Sequence, residues 1–196
     1  MSGVAALILA AGQGSRFGTE PKLLAHFRGK PLIRHVVEAV MGSSARPVIV
    51  VTGYRAREVE RTVSGLEVGI VRNPSFSEGL STSLKTGFAA LPPEVQGVII
   101  LLGDMPLITT GLINVLIAAW SEERPYALVP TFNGRRGNPV VLSREIGMMV
   151  GSLSGDTGAS LILRGRSDVL EWPVDDPAIL EDIDTPDMLQ EAAMLK

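Results

Sequence analysis

Short aliphatic runs punctuate this chain at residues 4–10, 47–51, 67–71, 98–102, 127–130, 139–142 and 169–172, and several stretches between them carry apolar residues at helical spacing. Runs this short and this rich in Val, Ile and Leu read as buried strands, because a strand covered on both faces loses the polar alternation of a solvent-facing one. The clearest intervening helix is 31–41, where Pro31 stands at a first helical position and Leu32, Ile33, Val36, Val37 and Val40 share one face. Segments 55–63, 81–90, 111–120, 145–150 and 157–163 repeat that spacing less regularly. Alternating strand and helix predict an α/β fold, a three-layer, doubly wound, mostly parallel sheet joined by right-handed crossovers. With 196 residues, 45% of them hydrophobic and 5% aromatic, the chain can enclose an aliphatic interior as a single domain spanning 1–196. Pro92-Pro93 reads as a loop within that domain.

Composition narrows the function classes. The absence of cysteine removes disulfides, thiolate metal sites and cysteine nucleophiles. Met1-Ser2-Gly3 runs into the first strand without a basic leader, and no apolar stretch approaches the ~20 residues of a membrane span, so a cytoplasmic protein with no membrane partner is expected. A formal net charge of −3 argues against general affinity for nucleic acid.

The first strand runs into Leu9-Ala10-Ala11-Gly12-Gln13-Gly14-Ser15-Arg16-Phe17-Gly18-Thr19-Glu20-Pro21-Lys22. Open α/β sheets bind ligands where loops leave the carboxyl ends of strands. Gly12, Gly14 and Gly18 let the backbone turn tightly and present N–H groups to an anion, while Arg16 and Lys22 add charge-assisted donors. That chemistry fits a nucleoside triphosphate. A Walker A loop is ruled out, since the only Gly-Lys pair, Gly29-Lys30, precedes Pro31 rather than Ser or Thr. The dinucleotide fingerprint also fails: the sixth residue counted from Gly12 is Phe17, and the 47–51 strand runs into Thr52-Gly53 with no acid for a ribose. An ordinary strand-to-helix turn would account for the glycines but not for two cations at this spacing.

The strand at 98–102 leads into Gly103-Asp104-Met105-Pro106, which puts a carboxylate at the same sheet edge. Mg²⁺ bound to phosphates usually takes one or two carboxylates, so a second acid is wanted. Asp104 also suits the opening of a turn before Pro106, and Asp182 or Asp184 suits the cap of a helix starting near Pro186. Arg72-Asn73-Pro74 ends the third strand, and residues 78–87 open a helix with a hydroxyl-rich first turn, where Ser81 or Thr82 can serve as a cap. Arg135-Arg136-Gly137-Asn138-Pro139 suits contact with an acceptor phosphate, or a solvated basic turn after the hairpin signal Asn133-Gly134. His26 and His35 have no catalytic partner pattern and read as surface or packing residues; Trp120 and Trp172 read as core.

Residues 9–22 resemble the signature of the MobA-like nucleotidyltransferases, which move a nucleoside monophosphate from a triphosphate onto an acceptor. Gly103-Asp104-Met105-Pro106, Gly137-Asn138-Pro139-Val140, Gly155-Asp156-Thr157-Gly158-Ala159 and Asp182-Ile183-Asp184-Thr185-Pro186 extend the likeness over nearly the whole chain. Within the family they are most similar to the molybdenum cofactor cytidylyltransferases. The resemblance implies a Rossmann-like fold of the nucleotide-diphospho-sugar transferase type, with Lys22, Arg16 and Asp104 catalytic and Asp184 beside Asp104 as second ligand of Mg²⁺, or of Mn²⁺ in its place. It further implies that Leu9, Ala10, Ala11, Gly12, Gly14, Ser15, Arg16, Lys22, Gly79, Ser83, Gly103 and Asp104 bind the nucleotide, and that Arg136, Asn138 and Asp156 meet the acceptor. The donor would be CTP and the acceptor molybdopterin, with a molybdenum hydroxylase or its chaperone downstream. Guanylyl-transferring relatives commonly have Gly where this chain has Ala11, and the extra methyl favours a pyrimidine. Two departures touch the acceptor side: Asn138 stands where the family often has His, and Ser160 where Arg commonly follows. Transferases of the same fold acting on a sugar, polyol or lactate-type phosphate, and a non-catalytic nucleotide-binding maturation partner, remain alternatives.

Overall fold

The computed structural model describes residues 3–18 and 20–194, so Thr19 of the glycine loop, Met1, Ser2, Leu195 and Lys196 lie outside the described residues. Its strands are β1 (Val4–Ala10), β2 (His26–Phe27), β3 (Lys30–Pro31), β4 (Val48–Thr52), β5 (Gly69–Arg72), β6 (Gly97–Leu102), β7 (Ala127–Phe132), β8 (Arg135–Arg136), β9 (Val140–Ser143) and β10 (Val169–Pro173). Its α-helices are α1 (Leu32–Met41), α2 (Ala56–Thr62), α3 (Leu80–Ala89), α4 (Thr110–Glu123), α5 (Gly147–Ser152), α6 (Ala159–Leu163) and α7 (Pro186–Met194).

The main sheet has the order β10-β7-β9-β6-β1-β4-β5, with β8 returning on β7 as a hairpin. β1 pairs in parallel with β4 and β6, β4 with β5, and β7 with β10. β9 alone on this path is reversed, antiparallel to both β6 and β7. The result is the expected mostly parallel sheet, modified by one antiparallel insertion.

Burial explains the layering. β1 is buried throughout, and its side chains alternate: Val4, Ala6, Ile8 and Ala10 enter the core under α1 and α4, while Ala5, Leu7 and Leu9 enter the one under α3, α5 and α6. An isolated helix of ten residues is marginal in water, whereas α1 buries Leu32, Ile33, Val36, Val37 and Val40 at about 1.5–3 kcal/mol for each large side chain. Packing against the sheet therefore decides that helix. Among the described residues no helix is long and apolar enough to cross a membrane.

The expected strands all form, each within two residues of its expected bounds. Several boundaries move for physical reasons. Pro31 is not a first helical residue: it is extended, with φ −57° and ψ 142°, and pairs with His26 in the β2–β3 ribbon, so the helix starts at Leu32. α4 runs past Trp120 to Glu123, where Arg124 turns left-handed at φ 48°. The helix expected at 145–150 starts at Gly147 and that at 157–163 starts at Ala159, each behind a loop or a 3₁₀ turn. Asn133 and Gly134 both have positive φ, 50° and 74°, the conformation of a primed hairpin turn, so the basic segment begins as a hairpin.

Candidate active site

The carboxyl ends of β1 and β6 lie side by side, and the Gly103 amide donates to the Leu9 carbonyl at 2.9 Å. From the first strand the chain enters the glycine loop, and from the other it delivers Asp104. Phe17, buried to 6% exposure, packs with Phe27, Leu32 and Ile183 and so ties the loop to the segment before α7. Leu23, buried in the main core, anchors the short 3₁₀ turn that carries Lys22.

These anchors bring opposite charges together. Lys22 Nζ donates to Asp104 Oδ2 at 2.5 Å and to Asp184 Oδ1 at 2.8 Å, and Arg16 Nη2 lies 2.7 Å from Asp184 Oδ2. Burial opposes the Lys22 charge, but the two carboxylates outweigh it through charge and hydrogen bonding, and its pKa is held above the ordinary lysine value. The Ile183 amide donates to the Asp104 carbonyl at 2.9 Å while its side chain is buried. Ile183 is buried between Asp182 and Asp184, which both stay partly exposed. Ligand atoms of Asp104, Asp182 and Asp184 lie within 4.8 Å of one another. Asp104 Oδ1 is buried and has no hydrogen-bond partner among the described residues. That orphaned oxygen, in a set of hard carboxylate donors, fits Mg²⁺ or Mn²⁺.

Neither acid caps α7. Thr185 does so, accepting from the Met188 amide at 3.3 Å, which leaves both carboxylates to the cluster. Asp182 was missed as a site residue, yet the Asp-x-Asp spacing around one apolar residue was the available signal. Asp104 does sit in a turn, with the Met105 amide on the Leu102 carbonyl at 3.4 Å, and that turn is what aims it outward.

A cavity of about 480 Å³ opens beside the cluster. Leu9, Ala11, Gly12 and Gly14 form one side of it, with Lys22 and Asp104, and Gly79 and Ser83 border the other. Gln13, Phe76 and Glu78 border it too, and sequence reasoning did not single them out. Other expected nucleotide contacts fall elsewhere. Ala10 points into the core under α1, because β1 alternates its faces. Gly103 lies behind the wall, where a Cβ would come within 3.0 Å of Ile33 and 3.1 Å of the Leu9 carbonyl. Ser15 is exposed beyond the rim, and Arg16 reaches Asp184 from a side chain 74% exposed.

The hydroxyl-rich turn is organised by a buried amide, not by capping. Asn73, 2% exposed, donates from Nδ2 to Thr82 Oγ1 at 2.8 Å and to Ser83 Oγ at 3.0 Å. Thr82 donates onward to the Gly79 carbonyl at 2.8 Å, and α3 has no cap from Ser81 or Thr82. Instead Asp156 Oδ1 accepts from the Leu80 amide at 3.3 Å, and the Gly155 carbonyl accepts from the Ser81 amide at 3.2 Å. Gly79 permits this approach: its φ is +108°, and a Cβ there would lie 2.3 Å from the Gly155 carbonyl carbon.

A second cavity of about 340 Å³ adjoins the first. Its walls are aliphatic, including Leu84, Ile100, Val129, Val140 and Leu163, while Arg136, Asn138, Asp156 and Ser160 supply its polar groups. β9 is reversed, so the residues that begin it lie at the edge where the other strands end. Arg136 there pairs with Glu171 at 2.8 Å. Away from both cavities, His26 is exposed and His35 Nε2 lies 2.6 Å from the Phe27 carbonyl. Trp120 is buried, and Trp172 is half-buried against the core.

Residues 6–170 match the MobA-like NTP transferase domain. The chain is 31% identical over 188 residues to the molybdenum cofactor cytidylyltransferase of Escherichia coli (strain K12), covering 95% of this chain and 94% of that protein. It is 30% identical over 203 residues to the nicotine blue oxidoreductase of Paenarthrobacter nicotinovorans, covering 95% and 94%. Among solved structures, the homolog of Mycobacterium tuberculosis Rv0371c from Mycobacterium sp. strain JC1 superposes with a TM-score of 0.86 at 29% identity, covering 98% of this chain and 96% of the other.

Proposed function

The chain belongs to the MobA-like NTP transferase family, and from that premise we propose that it transfers CMP from CTP to molybdopterin, with release of pyrophosphate. A relative of similar identity is named as an oxidoreductase, so the choice of chemistry rests on the site. The observation that carries it is the meeting of Lys22 and Arg16 with Asp104 and Asp184 at the mouth of a glycine loop. Such a site suits phosphate chemistry, where catalysis consists of positioning and charge neutralisation.

The acceptor phosphate attacks the α-phosphorus in line and pyrophosphate leaves, with no covalent enzyme intermediate. Lys22 and Arg16 pair with phosphate oxygens, and the backbone N–H groups around Gly12 and Gly14 cradle them. Asp104, Asp182 and Asp184 would hold Mg²⁺, which when bound supplies charge neutralisation to the phosphates. Ala11, 2% exposed, lines the cavity with its neighbours, and its methyl favours the one-ring base.

The aliphatic second cavity favours a planar heteroaromatic acceptor over a sugar or polyol, because each hydroxyl desolvated there without a partner costs about 1–3 kcal/mol. Arg136, Asn138 and Asp156 then meet its polar edge. In the cytoplasm the product would pass to a molybdenum hydroxylase or its chaperone.

Thermal shift with CTP, GTP, UTP and ATP, with and without Mg²⁺, followed by a pyrophosphate assay with molybdopterin, tests this reading. A ligand at about one hundred times its Kd stabilises by roughly 2.7 kcal/mol, which a melt resolves. CTP should exceed GTP by at least about tenfold in specificity constant, and Ala11→Gly should shrink the ratio. A preference for GTP, or no pyrophosphate with molybdopterin, would overturn the assigned product.

A further inference from the structure

Lys22 is held in the manner of a bound ligand. Its Nζ bridges Asp104 at 2.5 Å and Asp184 at 2.8 Å, with the side chain only 11% exposed. The same two carboxylates belong, with Asp182, to the set whose oxygens lie within 4.8 Å of one another. One group of acids therefore faces two claims. A lysine ammonium and a divalent cation on shared carboxylates would sit a few ångströms apart, where like charges repel strongly once water is partly excluded. The acids in turn repel a triphosphate unless cations stand between them.

We infer that Lys22 is an exchangeable internal cation, which neutralises the carboxylates in the protein alone and yields them to the divalent ion as it swings onto the triphosphate. The inference rests on the metal-dependent reading of the site given above. Motion of the side chain suffices, since Leu23 is buried and the 3₁₀ turn fixes the backbone, while lysine has a flexible four-carbon stem. Metal alone must displace Lys22 with nothing to receive it, and triphosphate alone must approach acids that Lys22 has left. Together each removes the other's obstacle, so the two bind cooperatively, and by linkage the coupling is reciprocal. Arg16 contributes less, because among the described residues its one ion pair is with Asp184, made from a mostly solvated position.

The sign of one effect separates this from a lysine that only binds phosphate. Mn²⁺ binding to the protein alone, followed by electron paramagnetic resonance, should tighten at least about tenfold in Lys22→Gln and in Lys22→Met, within the usual span of coupling between sites. Arg16→Gln should change it by less than about threefold. Lys22 variants that bind Mn²⁺ no tighter than wild type overturn the exchange and leave the assigned reaction standing. A wild-type measurement covers variants that fail to fold: an amine-reactive ester, read by mass spectrometry, should label Lys22 faster when Mn²⁺ is bound. Unchanged labelling with Mn²⁺ bound overturns the exchange as well. Wild-type protein that takes up no Mn²⁺ even with CTP present overturns both this inference and the metal-dependent function beneath it.

Discussion

Charge dominates one of the two cavities at the sheet edge and hydrocarbon the other, although Leu9, Leu80, Leu102 and Asp156 border both. The charged cavity is built from loops and strand ends that converge from distant parts of the chain, and its acids and cations compensate one another. The aliphatic cavity is a continuation of the core between the sheet and α3 and α6, left open at its polar end. The difference assigns them different kinds of selectivity. Under the proposed function, charge would act on any phosphate, so the first cavity would set the reaction, while shape and desolvation would act on the whole acceptor, so the second would set the partner.

The largest expected effect falls on the charged side. Asp104→Asn should lower turnover about 10²–10³-fold, and Asp184→Asn by the same order, as loss of one transition-state charge stabiliser usually does. Pyrophosphate release measures both. An Asp184→Asn enzyme with near-wild-type turnover would remove that residue from the chemistry and weaken the contrast between the cavities.

Two glycines test the lining of the charged cavity. Gly79→Ala places a Cβ against the Gly155 backbone at positive φ, and overpacking of this kind costs about 1–3 kcal/mol. At roughly 2–4 °C per kcal/mol for a chain of this size, its melting temperature should fall visibly. Gly12→Val should leave the melt unchanged, since a Cβ there meets nothing within 4 Å, while CTP binding is lost. Wild-type CTP affinity in Gly12→Val would reduce the loop to a turn.

Val140→Thr probes the aliphatic side with a nearly isosteric hydroxyl. It should raise the KM for the acceptor several-fold and leave the KM for CTP unchanged, by the roughly 1–3 kcal/mol that an unpaired buried hydroxyl costs. Equal changes in both constants would merge the two cavities into one.

The smallest effect lies outside both. Hydrogen bonding by Arg72 holds the Glu60 carboxyl below the usual glutamate range. A depressed folded pKa adds stability that is complete above the unfolded value of 4.5 and disappears as pH falls through the folded one. Melts should therefore lose a small increment below pH 4.5, and Arg72→Ala should shrink that increment. An increment left unchanged by the substitution would take its origin away from Glu60 and toward the other carboxylates held below their usual range, Glu38 and Asp168.

The strands were legible because buried runs of Val, Ile and Leu need only composition to be seen, and Asp104 was legible because Gly and Pro frame it after such a run. What escaped depended on registration across the fold. Ala10 sits in the glycine signature, yet the alternation of β1 turns its methyl to the far core. Asp156 caps a helix 76 residues away in sequence, which no local pattern announces. Asn73 organises Thr82 and Ser83 from inside, a buried amide indistinguishable in sequence from a turn residue before Pro74. The β2, β3 and β8 strands, two residues each, are too short to show a period.

The reversed strand also sets a timetable. β1, β4, β5 and β6 find parallel partners among themselves, all within the first 102 residues, and Lys22 and Asp104 lie in or next to that block. Among the described residues β7 pairs only with β8, β9 and β10, all made after it, and β9 must arrive before β7 can join the older half. Asp182 and Asp184 come later still. A chain emerging from the ribosome thus makes its glycine loop well before Asp184, the later acid that Lys22 meets. The charge balance around Lys22 is complete only once residues 182–184 have been made, so a chain cut short before them carries the glycine loop and Asp104 without the two later carboxylates.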